Sequence, residues 1–269
     1  MSDFVGGLAS RQVAALRVIL VSYPLGMIGL GVLAVIAGGT ITPAAWVWGG
    51  LCGIAQGLGV WWFYAGLAAG PISVVSPLTA ILAAGVPLAV GIGMGERPGP
   101  IAGVGAVLAL IAVVLVSREA TDEDVRPHQF TAKVALLTMG AGLAFGLNFV
   151  MIAQAPVESR LWPLFFGRIA ATVLVVAAAA LTGNLHPPRG TSLWLAVLAA
   201  VLDIDANVTM LWALQGSMLS LSSVLMSLYP AATVLLAIVV LRERVTRWQA
   251  VGMVAALAAI GLISASGVH

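Results

Sequence analysis

Residues 192–214 read Ser-Leu-Trp-Leu-Ala-Val-Leu-Ala-Ala-Val-Leu-Asp-Ile-Asp-Ala-Asn-Val-Thr-Met-Leu-Trp-Ala-Leu. As an α-helix, these 23 residues are long enough to cross a hydrocarbon layer about 30 Å thick. The strands of a membrane barrel alternate apolar and polar residues over about ten positions, and this run does not. The stretch therefore predicts a membrane-spanning helix, with Asp203, its twelfth residue, near the centre of the bilayer.

The rest of the chain has the same character. Of its 269 residues, 61% are hydrophobic and 8% are charged, and the mean hydropathy is +1.10. A soluble domain usually carries about 25% charged residues, so this chain could not cover a water-facing surface. The composition excludes a soluble protein and predicts an all-α, polytopic membrane protein.

Nine apolar spans are predicted, each long enough to cross the bilayer. They cover residues 13–37, 46–67, 72–94, 101–116, 132–153, 161–181, 192–214, 218–241 and 245–265. A charged loop, 118–131, separates two transmembrane repeats, 1–117 and 132–269.

The two halves repeat with a shift of 147 residues. The shift places Ser73 on Ser220, Ser76 on Ser223, Glu96 on Glu243, Arg97 on Arg244 and Gly105 on Gly252. Five helices per repeat would give the halves opposite orientations, which is the inverted repeat of many secondary transporters.

The first half contains only four full spans. Asn148-Phe149-Val150 in the second half resembles Asp3-Phe4-Val5, but only two residues precede Asp3. We therefore expect a truncated first helix, with residues 1–10 as an N-terminal stub and the missing turns encoded in frame upstream of Met1.

Basic residues predict the orientation. Nine of them collect on one side of the membrane and three on the other. The nine are Arg11, Arg17, Arg118, Arg126, Lys133, Arg189, Arg242, Arg244 and Arg247, and the three are Arg97, Arg160 and Arg168. Because cytoplasmic loops are rich in Lys and Arg, we expect the charged loop in the cytoplasm.

Asp203 is the leading candidate for binding a substrate or a proton. An acid near the bilayer centre usually faces a wet cavity or a partner, although it can also be a structural hydrogen-bond anchor between helices. Asn207 shares its face, whereas Asp205 lies about 200° away and shares a face with Thr209. We expect Asp203 and Asn207 in a central cavity and Asp205 against a neighbouring helix.

Other polar and aromatic residues could complete this site. Gln56 is the repeat partner of Asp203, and Asn148 and its counterpart Asp3 lie on equivalent helices. Aromatic walls could come from Trp61, Tyr64 and Tyr229, as well as Trp62 and Trp212. The alternative for the aromatic residues is that they anchor helix ends at the membrane interface.

Two acid–base pairs, Glu96-Arg97 and Glu243-Arg244, lie at helix junctions. They could form gates, or they could mark the membrane boundary and cap a helix start, where acids are favoured. Glycines four residues apart, at Gly49, Gly53 and Gly57, at Gly99 and Gly103, and at Gly142 and Gly146, predict close helix packing.

Residues 222–237, Ser-Ser-Val-Leu-Met-Ser-Leu-Tyr-Pro-Ala-Ala-Thr-Val-Leu-Leu-Ala, followed by Leu-Arg-Glu-Arg-Val-Thr at 241–246, resemble the signature of EamA-type transporters. The first half carries the related Ser-Val-Val-Ser-Pro-Leu at 73–78 and Gly-Glu-Arg at 95–97. The resemblance implies a ten-helix, two-repeat carrier of the drug/metabolite transporter superfamily, moving small metabolites or amino-acid-like compounds, often outward.

No enzyme, metal-site or nucleotide-binding motif is present in the sequence. We expect no cofactor, no metal and no nucleic-acid partner; the expected partners are a small-molecule substrate, membrane lipid and a coupling proton. The predicted function is secondary transport by alternating access, as an exporter in a bacterial cytoplasmic membrane. A non-transporting membrane scaffold, or an incomplete fragment of a transporter, is the alternative.

Overall fold

The computed structural model describes residues 15–69, 72–117, 131–183, 185–241 and 246–266, together with Val5. Within these residues all regular structure is helical, in agreement with the predicted fold class. The helices are α1 (Ala15–Ala37), α2 (Pro43–Ala69), α3 (Ile72–Gly93), α4 (Pro100–Ser117), α5 (Ala132–Ala153), α6 (Trp162–Leu181), α7 (Thr191–Gly216), α8 (Leu219–Met226), α9 (Tyr229–Leu236) and α10 (Arg247–Ala265). The predicted stub and Asp3 lie outside the described residues.

Six of the described helices are long and apolar enough to cross a membrane, namely α1, α3, α5, α6, α7 and α10. The chain is thus an integral membrane protein. Helix α2 has 27 residues and no charged side chain, but Gln56 and several tryptophans lower its hydropathy. Helix α4 is apolar and shorter, with 18 residues. The nine-span inverted repeat stays a prediction.

The predicted single span 218–241 is divided. Helix α8 ends at Met226, α9 begins at Tyr229, and a π-helical turn, Ala237–Leu241, follows α9. Pro230 has no N–H for the helical bond to the fourth residue before it, and the N–H of Ala231 bonds the oxygen of Leu228 at 2.9 Å. The single continuous span is therefore not seen, and Pro230, a proline within the apolar run, explains the break.

The described residues form two compact units. The first contains residues 15–58 and Met151–Gln215, and the second contains the described parts of Gly59–Val150 and of 216–266. Each unit combines segments from both sequence repeats, so the loop that divides the sequence does not divide the compact units.

In the first unit, glycines allow α2 and α6 to cross closely. A Cβ atom on Gly53 would lie 1.9 Å from the backbone oxygen of Gly167, and one on Gly49 would lie 2.3 Å from that of Pro163. Gly57 faces Leu174 in the same way. The predicted packing role of this glycine series is confirmed.

Two loops of the first unit are held together at one end of its helices. The N–H of Thr40 bonds the oxygen of Glu158 at 3.0 Å, and the hydroxyls of Thr42 and Ser159 lie 3.1 Å apart. The guanidinium of Arg160 donates to the oxygen of Ala37, the last residue of α1. A cation at this position also suits the negative end of the helix dipole.

In the second unit, small side chains again set the packing. A Cβ atom on Gly142 would lie 2.5 Å from Cβ of Leu82, and one on Gly146 would lie 2.6 Å from Cβ of Val86. Helix α4 packs along α10 through small and medium side chains, which include Ala102, Ala106, Ala109, Ala256, Ala259 and Ile263. A Cβ atom on Gly99 or Gly103, by contrast, would meet nothing within 4 Å in the described part of the chain, so the packing predicted for that pair is not seen there.

Candidate functional site

An ion pair lies between two helices of the first unit. Nη2 of Arg168, on α6, is 2.5 Å from Oδ2 of Asp203, on α7. The Arg168 side chain is 1% exposed and the Asp203 side chain 28% exposed. The candidate acid therefore already has a cationic partner from its own chain.

The guanidinium of Arg168 also meets α1. Its Cζ lies 4.7 Å from the centre of the Tyr23 ring, within the range of a cation–π contact. Gly26 of α1 packs beside the guanidinium, and a Cβ there would lie 3.6 Å from Nε, in ordinary van der Waals contact. Nη1 of Arg168 is buried and has no hydrogen-bond partner among the described residues. One side chain thus joins α1, α6 and α7.

The sequence analysis assigned Arg168 to the basic residues on one side of the membrane. That assignment did not predict its ion pair with Asp203. Arg168 is the seventh residue of α6, and it is buried rather than at the end of the span. The signal was present, because an Arg within an apolar span is expected to pair with an acid or a backbone carbonyl, or to face a wet cavity. Asp203 and Asp205 are the acids within the predicted spans.

Helix α7 runs without a break through Ile204, so the helical geometry used to separate the two acids holds. Nδ2 of Asn207 donates to the backbone oxygen of Asp203 at 2.7 Å. Asp205 and Thr209 are both exposed, and the hydroxyl of Thr209 donates to the backbone oxygen of Asp205 at 2.9 Å. The neighbouring helix expected against Asp205 is not seen among the described residues.

The remaining candidates are spread over both units. Gln56 is half-buried on α2 in the first unit, and no hydrogen bond joins it to Asp203. In the second unit, Asn148 is buried on α5, Trp61 and Tyr64 lie on the last turns of α2, and Tyr229 begins α9. The aromatic roles and the polar cavity therefore stay predictions.

Glu96 belongs to the second unit and follows α3. The N–H of Glu96 bonds the oxygen of Gly91 at 3.0 Å, and the N–H of Gly95 bonds that of Ile92 at 3.0 Å. With Gly95 at φ +100°, this is the Schellman ending of a helix, which glycine allows at least cost. The turn places Glu96 directly after the end of α3.

That carboxylate caps a helix distant in sequence. Oε1 accepts from the N–H of Leu219 at 2.6 Å and Oε2 from that of Ser220 at 2.8 Å, at the start of α8. Glu96 therefore caps a helix, as one of the two interpretations of the Glu96-Arg97 pair predicted. The capped helix, however, is α8 and not the helix that follows Glu96. Arg97 is exposed, and Glu243 and Arg244 lie outside the described residues.

In the part of the chain that the structure describes, no three His, Cys, Asp or Glu side chains lie close enough to hold a metal ion. Away from the first and last turns of the described helices, the charged side chains are Arg168, Asp203 and Asp205.

Comparison with known proteins adds a family and a fold. The model of the EamA-like transporter family matches residues 132–265. A protein of known crystal structure superposes with a TM-score of 0.69 over 98% of this chain and 94% of the other, at 18% sequence identity. That likeness shows a shared fold across nearly the whole chain. No curated protein sequence matches the chain.

Proposed function

Because the chain belongs to the EamA-like transporter family, within the drug/metabolite transporter superfamily, we propose that it carries a small polar or amphipathic metabolite across a bacterial cytoplasmic membrane. The proposed substrate is amino-acid-like or drug-like, and the proposed direction is export. The mechanism is alternating access, the mode that internal repeats serve in secondary transporters. The family points to transport rather than to an enzymatic reaction.

The observation that carries the proposal is the set of charges within α6 and α7. Arg168, Asp203 and Asp205 lie inside apolar helices, where a charged side chain costs about 2.5–3.5 kcal/mol on insertion scales. Such residues mark substrate or proton pathways by default. Among the described residues no Arg or Lys forms an ion pair with Asp205, and this supports a ligand-binding role over that of a scaffold.

In this proposal Asp203 and Arg168 form the element that couples transport to protons. A proton taken up by Asp203 would remove its charge and release the guanidinium of Arg168. Asn207 and Gln56 are proposed as the polar neighbours of Asp203 in the first unit. Asn148, Trp61, Tyr64, Tyr229 and Asp3 are kept as candidate substrate contacts.

The test is transport by the purified protein in proteoliposomes. A metabolite library is first screened for compounds that stabilise the protein against thermal unfolding. Isotopically labelled forms of these compounds are then loaded into the proteoliposomes. We expect efflux of at least one compound, faster than from protein-free vesicles and dependent on an imposed pH gradient. A folded, inserted protein that moves none of them in either direction would favour the scaffold alternative.

Asp203→Asn is the matched variant for proton coupling. Efflux that keeps its pH dependence in this variant would exclude Asp203 as the coupling residue, while the transport function itself would stand.

A further inference from the structure

An apolar groove lies between α1 and α7 in the first unit, and its volume is about 430 Å³. Its lining side chains are all apolar and come from both helices: Leu20, Val21, Pro24 and Leu25 of α1, and Leu193, Trp194 and Val197 of α7. Leu25, Leu193 and Trp194 are exposed, Trp194 to 74%. In an integral membrane protein, an exposed apolar groove of this kind has the right chemistry for a hydrocarbon chain.

The two helices that form the groove run in the same direction. Val18, near the start of α1, packs in one cluster with Ala196, near the start of α7. Further along both helices, a Cβ atom on Gly29 would lie 2.3 Å from Cδ1 of Ile204. Because residue numbers rise together along the contact, α1 and α7 begin at the same face of the membrane.

Two arginines lie at that end of the groove. Arg17 is the third residue of α1, and Arg189 lies two residues before α7 begins. Leu20 and Val21 follow Arg17 by three and four positions, so Arg17 shares the face of α1 that lines the groove. The apolar groove therefore has a basic end.

Neither arginine is neutralised within the described part of the chain. No ion pair joins Arg17 or Arg189 to a described acid, and Nε of Arg17 is buried without a described hydrogen-bond partner. A partly buried guanidinium without an acceptor is costly, so an anion at this end would stabilise it. The groove and its basic end together fit a ligand with one anionic group and one long apolar chain.

We propose that this groove binds an anionic phospholipid, with one acyl chain between α1 and α7 and the phosphate on Arg17 and Arg189. The arginine excess predicts that this end faces the cytoplasm, where the leaflet is rich in anionic lipid. Basic pockets between membrane helices bind lipid head groups on that side. Trp194, the fourth residue of α7, suits the boundary between head groups and chains. The proposal goes beyond the transport function and does not depend on it.

Binding is tested by native mass spectrometry of the purified, delipidated protein in detergent. Dioleoyl phosphatidylglycerol and dioleoyl phosphatidylcholine have the same chains, but only the first has a net negative charge. We expect one phosphatidylglycerol to bind about tenfold or more tightly than phosphatidylcholine. Inorganic phosphate at the same concentration should not displace it, because phosphate has no chain to occupy the groove.

Charge variants test the basic end. Arg17→Gln and Arg189→Gln should each weaken phosphatidylglycerol binding about fivefold, and the double variant should abolish the preference over phosphatidylcholine. Lys133→Gln/Arg247→Gln removes two exposed charges of the same predicted side from the second unit, so it is the matched control and should bind normally. Arg17→Lys/Arg189→Lys keeps both charges and should retain the preference.

Matched valine variants test the position of the chain. Val197→Trp places a large side chain in the groove and should weaken binding of both lipids. Val201→Trp adds the same bulk to α7 at an exposed position outside the groove and should leave binding unchanged. Thermal unfolding of every variant shows whether it is folded.

Four results would overturn the proposal. They are equal binding of the two lipids by the wild type, an unchanged preference in the Arg17→Gln/Arg189→Gln variant, an equal loss in the control pair Lys133→Gln/Arg247→Gln, and unchanged binding by a folded Val197→Trp protein. The third would assign the preference to the general positive charge of that side. Because lipid binding is measured without transport, failure to find a transported compound leaves this inference standing, and failure of lipid binding leaves the proposed function standing.

Discussion

At the scale of single residues, the main electrostatic feature of the first unit is the ion pair between Arg168 and Asp203. Each charge alone would be costly inside an apolar helix, and together they are neutral. The pair is held by the Tyr23 ring on one side and by α7 on the other. Because the Arg168 side chain joins α1, α6 and α7, it stabilises their packing and is also a candidate for a residue whose contacts change during transport.

The pair changes the expected result of Asp203→Asn. From the sequence alone this substitution is expected to leave folding intact, because it removes a buried charge. With Arg168 at 1% exposure, it instead leaves a buried cation without its partner. We expect a loss of unfolding free energy that stays below the roughly 3–5 kcal/mol of a fully buried pair, because Asp203 is 28% exposed.

The measurement is reversible unfolding in mixed micelles, with Arg168→Gln and the double variant Arg168→Gln/Asp203→Asn completing a cycle. The double variant should recover most of the loss, since no charge is then unpaired. Asp205→Asn, at an exposed position, is the control and should change stability little. Equal stability of Asp203→Asn and the wild type would show that the pair contributes nothing to folding.

At the scale of helices, the contact between α2 and α6 rests on glycines that touch backbone atoms. Gly53→Ala would place a methyl carbon 1.9 Å from the oxygen of Gly167, so the two helices must separate. The same helix offers a control at Gly50, where a Cβ would meet nothing within 4 Å. Both substitutions gain helix propensity of about 0.5–1 kcal/mol.

We therefore expect the two substitutions to have different effects on the thermal unfolding midpoint. Gly50→Ala should keep or slightly raise the thermal unfolding midpoint, and Gly53→Ala should lower it clearly. Differential scanning fluorimetry in the same detergent measures both. A Gly53→Ala protein as stable as Gly50→Ala would mean that α2 and α6 do not approach as closely as described.

The Glu96 cap gives a second prediction at this scale. Glu96→Ala removes both acceptors for the N–H groups of Leu219 and Ser220 and should cost about 1–3 kcal/mol of unfolding free energy. Arg97→Ala, at the exposed neighbour, should have little effect. If Glu96 is a gate rather than a cap, the variant will instead change transport rate at unchanged stability, which unfolding and efflux measurements on one preparation distinguish.

At the scale of the whole molecule, sidedness follows from charge. The excess of Arg on one side predicts that the loop 118–131 is cytoplasmic. A cysteine at Thr121, introduced into a Cys52→Ala background, should resist an impermeant thiol reagent in intact cells and react after the membrane is opened. Rapid labelling in intact cells would contradict this orientation.

The sequence by itself determined the all-helical membrane class and several helix ends. Long apolar runs with few charges can be stable only in lipid, and this holds whatever the helices pack against. Local chemistry is equally independent of packing, as in the Thr246–Gln249 capping box that begins α10 and the glycine turn at Gly95. The glycine spacing on α2 likewise predicted a close helix contact.

Only the tertiary structure decided which residues are partners. Arg168 and Asp203 are 35 residues apart, and Glu96 lies 123 residues before the helix it caps, so no local pattern joins them. The break between α8 and α9, by contrast, follows from the local chemistry of Pro230. The same distinction separates the two acids of α7. Helical periodicity placed them on different faces, but which face met a cation and which stayed open depended on the helices packed around them. A charged side chain in an apolar helix predicts that a polar partner is present. Only the packing of the helices determines which residue that partner is.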